Sequence, residues 1–181
     1  MAEFFDHITD KHAKFVADQP MFFIATATKE GRINLSPKGM DCFRVLSPTL
    51  CGYLDLTGSG NETAAHIKHD GRVTFMFNSF TRNALIYRIY GKGRVLRAGT
   101  SGYESLKDIF PTSLPGARQI ILLDVESTQT SCGYGVPEMD LKAERSTLIK
   151  STEKLGEEGI LEYQQKKNTR SIDGLDTGLN E

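Results

Sequence analysis

From Met21 to Val136 the chain is cut into short apolar runs by glycine and proline turns, and this punctuation limits the folds open to it. "MFFIATAT" (21–28) and "INLS" (33–36) are strand-like and flank a "KEGR" turn, which predicts a hairpin. "CFRVLS" (42–47) and "LCGYLDL" (50–56) are two more strands with Pro48 and Thr49 between them. "RVTFMFN" (72–78) alternates, so Val73, Phe75 and Phe77 share one face. "ALIYRIYGKGRVLR" (84–97) is a long strand interrupted by Gly91 and Gly93, as at a bulge or a barrel bend. "RQIILLDVE" (118–126) is a buried strand, with "TQTSCGYGV" (128–136) as its expected partner. Many short strands with few, interspersed helices favour a mainly β fold with flanking helices, a small antiparallel barrel, over a doubly wound sheet.

The helices are expected at the margins and at one interior position. Phe4, Phe5, Ile8, Phe15 and Val16 fall near one stripe and predict a helix over residues 3–18, ended by Pro20. Others are expected over 60–69 and 102–110, from Asp140 to about Leu155, and over 157–167. Residues 168–181 are polar and dotted with glycine, as in a disordered tail or an arm laid on a partner. The expected organisation is one domain over 1–155 followed by a C-terminal helix and tail over 156–181.

Charge and cysteine content exclude several classes. Lys and Arg number 22 against 23 Asp and Glu, a net charge of −1, so no broad basic surface points to nucleic acid. No apolar run approaches the roughly 20 residues of a membrane span, and the polar, acidic N-terminus does not read as a signal peptide. Cys42, Cys51 and Cys132 are an odd, widely spaced set, as expected of free thiols in a reducing cytoplasm.

The junction "YLDLTGSGNETAAHI" (53–67) carries the strongest local signal. Ser59 and Glu62 fit a capping box, which accounts for both without a ligand. The same geometry offers free N–H groups and the positive end of a helix, with glycines that let an anion reach the backbone. No Gly-Lys-Ser/Thr follows, so the turn is not a P-loop, and the dinucleotide fingerprint lacks its third glycine. Because Glu62 would repel a phosphate, cations must come from elsewhere, and Lys38 and Arg44 are nearby in sequence. Ser36-Pro37-Lys38-Gly39 adds a hydroxyl, an ammonium and another glycine.

Other candidates have plainer readings. Glu62, His66 and His69 would share a helix face, but without a third well-placed ligand both histidines read as solvent-facing and no metal is expected. Cys132 has no adjoining His or Lys to activate it, although its segment, 130–137, is expected near the site.

Taken in order, "IATATKEGRINLSPKG", "GYLDLTGSGNETAAHIKHDGRVTFMF" and "IYRIYGKGRVL" resemble the pyridoxamine 5′-phosphate oxidase-like family over roughly residues 20–135. The resemblance implies an FMN-binding split β-barrel that works as a homodimer with FMN at the subunit interface. It places Ser36, Pro37, Lys38 and Gly39 along the flavin and its phosphate, Thr57 beside the ribityl phosphate, and Asn61, Glu62 and Thr63 where the phosphate sits. The oxidase proper has an Arg-Lys pair at that helix start, so the compensating charge is expected from Lys38, Arg44 or Arg88. The chain has no tryptophan and lacks the oxidase's C-terminal substrate pattern, which argues against true pyridoxamine phosphate oxidase activity. The expectation is an FMN-dependent oxidoreductase acting on a small molecule, with NADH or NADPH a candidate partner. Thr57, Gly58, Ser59, Asn61 and Thr63 are its phosphate corner, and no side chain emerges as general acid or base. Haem, deazaflavin and a non-catalytic flavin-binding role are the alternatives.

Overall fold

The structure is a computed structural model that describes residues 2–111 and 114–181. In chain order the elements are β1 (Glu3–Phe5), α1 (Asp10–Ala17), β2 (Phe22–Thr26), β3 (Asn34–Lys38), β4 (Phe43–Ser47) and β5 (Leu50–Leu56). They continue with α2 (Glu62–His69), β6 (Arg72–Asn78), β7 (Leu85–Arg97), α3 (Ser101–Leu106), β8 (Ala117–Cys132) and α4 (Thr147–Lys167). The strands form one antiparallel sheet in the order β3-β2-β6-β7-β8-β5-β4, with β1 added against β8. No helix among the described residues is long and apolar enough to cross a membrane.

Aromatic packing closes this sheet into a split barrel. In a flat sheet β2 and β4 would lie roughly 24 Å apart, at about 4.8 Å per strand. Instead the Phe22 ring on β2 lies 5.0 Å from that of Phe43 on β4, and both rings meet Phe77 of β6. Val73, Phe75 and Phe77 are all buried, as their alternation predicted. Among the described residues, the edge strands β3 and β4 do not pair with each other, so the barrel stays split there.

The bend in the long strands falls where the glycines predicted it. The β7–β8 register shifts between Tyr90 and Gly91, and a Cβ on Gly91 would lie 2.0 Å from the Asp124 carbonyl oxygen. Only a residue without a side chain admits that approach.

Four sequence expectations are corrected. Residues 3–18 are not one helix: Glu3–Phe5 pairs with Thr128–Thr130 of β8, and the helix starts only after Thr9, whose hydroxyl accepts from the His12 N–H. The reason is tertiary. β5 pairs with β8 only as far as Asp124, and β1 satisfies the strand edge beyond it. Residues 118–126 and 128–136 are not two paired strands, because β8 runs unbroken from Ala117 to Cys132. The helix expected from Asp140 begins at Thr147, although a break at Gly156 (φ 66°) agrees with the predicted division into two segments. Finally, residues 168–181 are neither loose nor extended away. Asn168, Ser171 and Thr177 are buried against the chain's own α2 corner.

Candidate functional site

The site grows from the turn that links β5 to α2. Thr57 is fixed through its N–H and its hydroxyl, which both donate to the Gly116 carbonyl, at 2.8 and 2.9 Å. Its oxygen accepts from Gln164 of α4 at 2.7 Å. Asn61 occupies the N-cap position without a capping side-chain bond. Its amide instead accepts from Gln119 at 2.8 Å and donates to the Asn168 carbonyl. The predicted Ser59–Glu62 capping box is therefore not formed. Both Glu62 carboxylate oxygens accept from the Ile172 N–H of the C-terminal segment, at 3.0 and 3.1 Å.

This bracing is one-sided. The Gly58 carbonyl accepts from Asn168 and the Gly60 carbonyl from Arg118, each at 3.1 Å. The N–H groups of Gly58, Ser59 and Gly60 have no acceptor among the described residues. Acceptors are used by the protein and donors are left over. Gly58 is also not a glycine for the fold's sake. Its φ is not positive, and a Cβ there would meet nothing closer than 4.0 Å. The open space beside a bare backbone is what a ligand approaching those donors requires.

Beneath the turn lies a buried ionic cluster. Asp55 accepts from Lys38 at 3.0 Å through Oδ1, and from Arg118 at 2.6 Å and Gln119 at 2.9 Å through Oδ2. Burial by itself would raise the Asp55 carboxyl, but the charges of Lys38 and Arg118 override it and hold the group down to about 2. The cluster carries two cations for one carboxylate, so the floor of the site is net positive.

These groups surround a cavity of about 790 Å³. Of the residues singled out by sequence, Ser36, Pro37, Lys38, Gly58, Ser59, Asn61 and Thr63 converge on it. The others do not. Thr57 spends its hydroxyl on Gly116 and Gln164. Gly39 borders two neighbouring cavities instead. Arg44 is held by both oxygens of Asp41, at 2.8 and 3.0 Å, and by the Ile109 carbonyl, and it lines a separate cavity. Arg88 donates to the Ser131 hydroxyl at 3.0 Å, away from the cavity. The cations supplied in place of Arg44 and Arg88 are Arg118, Lys167 and Arg170. Lys167 and Arg170 are exposed, and among the described residues neither forms an ion pair.

Asp55 had a sequence signal, a lone carboxylate inside an apolar strand. Lys167 and Asn168 had none, because only folding brings the tail to the corner. His66 also departs from expectation: it is 1% exposed, not solvent-facing, whereas His69 is exposed. Glu62, His66 and His69 do not converge, since each has different surroundings. Cys132 and Tyr134 lie at the opposite end of the sixteen-residue β8 from Arg118, so the 130–137 segment is not at this cavity within the chain.

A family model described as pyridoxamine 5′-phosphate oxidase matches residues 8–132, which span β2 to β8 and the corner itself. The chain belongs to the pyridoxamine 5′-phosphate oxidase family. It is 39% identical over 192 residues to the pyridoxamine 5′-phosphate oxidase family protein ustO of Aspergillus flavus, covering 97% of this chain and 77% of that one. Among solved structures, a variant of HupZ from group A Streptococcus superposes with a TM-score of 0.58 at 21% identity, over 68% of this chain and 99% of that one. A candidate pyridoxamine 5′-phosphate oxidase from Lactobacillus delbrueckii gives 0.54 at 20% identity, over 68% and 94%. These likenesses establish the split-barrel fold. In this family member, the tail that carries Lys167, Asn168 and Arg170 lies outside the matched stretch.

Proposed function

We propose that this protein is an FMN-dependent oxidoreductase that exchanges a hydride with a small-molecule substrate and works as a homodimer. The observation that carries this reading is the Gly58–Gly60 turn, a row of uncommitted N–H donors beside open space at a glycine that the fold does not need. The donor set suits a phosphate ester. Backbone N–H groups and Ser59 would hydrogen-bond it, and Lys167 and Arg170 would balance its charge. Ser36, Pro37 and Lys38 would border the rest of the cofactor. FMN, when bound, supplies the position that takes up or gives out the hydride.

The chain's own residues position and hold charge. Asp55 fixes Lys38 at the cavity wall, and Arg118 fixes Asp55. The exposed Ile33, just before edge strand β3, and Leu35 on it, with Ile172, form an apolar rim that suits cover by a second copy.

The test is the visible spectrum and the extracted cofactor of purified protein. A two-band flavin spectrum, release of FMN and bleaching by NADH, NADPH or a substrate support the reading. A Soret band or a deazaflavin would replace it. A second reading, a flavin-binding protein without turnover, has one observation in its favour. Both carboxylates at the cavity, Asp55 and Glu62, are already engaged by protein donors, so neither is free to move a proton. Bound FMN that no reductant bleaches would decide for it.

A further inference from the structure

One polar atom at the corner has no partner in the fold. His66 is 1% exposed and lines the same cavity, and its Nε2 has no hydrogen-bond partner. Buried polar atoms are rarely left unpaired. A second orphan, Nε of Arg118, belongs to another residue lining that cavity. The other unpartnered buried atoms among the described residues, on His12, Tyr53 and Tyr87, belong to residues that do not line this cavity, so these two nitrogens are the ones a ligand there could engage.

The neighbours of His66 settle which nitrogen carries its hydrogen. Ser36 Oγ donates to Asn34 Oδ1 at 3.0 Å, which turns the Asn34 amide so that Nδ2 donates to Thr26 Oγ1 at 3.1 Å and to Thr63 Oγ1 at 3.3 Å. Thr26 Oγ1 lies 3.0 Å from His66 Nδ1. Thr26 has a single hydroxyl proton, and its oxygen already accepts from Asn34. If Nδ1 were protonated, the Thr26 proton would have no acceptor among the described residues. With Nδ1 as acceptor the Thr26 proton, the Asn34 amide and Nδ1 itself are all paired, and the hydrogen resides on Nε2.

We infer that His66 is a neutral N–H donor to a phosphate oxygen of the ligand at this corner, and so selects the phosphorylated over the dephosphorylated form of the cofactor. The inference rests on the flavin reading for the identity of the ligand, though not for its chemical class. Asn34, Thr26 and Ser36 are positioning residues that present the Nε2–H. A cation is not needed at this point, because Lys167, Arg170 and Arg118 already supply charge.

The experiment compares FMN with riboflavin on wild type, His66→Leu and His66→Gln, each checked for unchanged melting temperature. His66→Leu is expected to weaken FMN about tenfold or more, as for loss of one donor to a charged oxygen, and to leave riboflavin binding unchanged. His66→Gln, whose amide can place an N–H at the same point, is expected to recover most of the affinity. Unchanged FMN binding in His66→Leu, or equal losses of FMN and riboflavin, would overturn the assignment. Should His66→Leu fail to fold, ¹⁵N spectra of wild-type histidine decide the matter. A protonated Nε2 that shifts on adding FMN supports the inference, and a bare Nε2 overturns it. If the wild type binds no flavin, the flavin reading falls by itself. A titration with inorganic phosphate, followed at Nε2, then judges His66 separately: a shift supports it and none overturns it.

Discussion

Lys38 Nζ stands 3.0 Å from Oδ1 of Asp55, and this contact joins edge strand β3 to β5 across the split in the barrel. Asp55 in turn holds Arg118, whose guanidinium is also buried and reaches the Gly60 carbonyl. One carboxylate thus ties the barrel's open seam to the turn at which we place the phosphate.

The first prediction concerns acid stability. Asp55 titrates near 2 in the fold against 3.8 ordinarily, so its contribution is fully present above about pH 4 and is lost as pH falls through 2. A difference of this size corresponds to about 2 kcal/mol at neutral pH. Asp55→Asn should remove that pH dependence and cost about 3–5 kcal/mol at pH 7, because Arg118 remains buried without its counter-charge. Urea unfolding of both proteins from pH 2 to pH 7 measures it. Equal acid sensitivity would mean that other carboxylates control the transition.

Glycines should separate ligand effects from fold effects. Gly58→Ala has room for its methyl and should leave the melting temperature unchanged, while weakening FMN about tenfold by crowding the donors. Gly91→Ala should do the reverse. Its methyl would sit 2.0 Å from a carbonyl oxygen, and overpacking of that kind costs about 1–3 kcal/mol or more. Calorimetric melting and flavin titration on the two variants check the contrast.

The cation assignment is tested by charge removal. Lys167→Ala with Arg170→Ala should reduce FMN affinity about tenfold or more, with the loss shrinking as salt rises. Arg44→Ala with Arg88→Ala should leave affinity unchanged, since Asp41 and Ser131 hold those side chains elsewhere. Fluorescence titration at two ionic strengths distinguishes them, and the opposite result would restore Arg44 or Arg88 to the site.

Asn168 should act as the clasp between tail and corner. It is fully buried, donates to the Gly58 carbonyl and accepts from Arg118 at 2.7 Å, and its own carbonyl accepts from Asn61 and Thr177. Asn168→Leu leaves a buried arginine donor and a carbonyl unpaired and should cost about 2–4 kcal/mol. Amide hydrogen exchange should rise in residues 168–177 and 57–61 together. Exchange confined to the tail would show that the two segments are not coupled.

Much of the barrel was legible because local chemistry settles it. Alternation placed Val73, Phe75 and Phe77 inside, a glycine marked the bend in β7, and the order of turns matched the family. The turn between β5 and α2 was located correctly as a place, but its internal bonding was not. Ser59 and Glu62 look like a capping box in sequence, yet the tail's Ile172 N–H claims Glu62 and Gln119 claims Asn61. Similarly, Phe4 and Phe5 carry a helical spacing, and the open edge of β8 draws them into a strand.

What the sequence alone determined is most of the interior strands, the helix after the turn and the turn itself, since periodicity and glycine act over a few residues. The tertiary structure decided which charges surround that turn. Lys38, Asp55, Arg118 and Arg170 are strangers along the chain and neighbours in space. The physical reason is that burying Asp55 demands partners, and the fold recruits them from wherever strands and tail happen to converge.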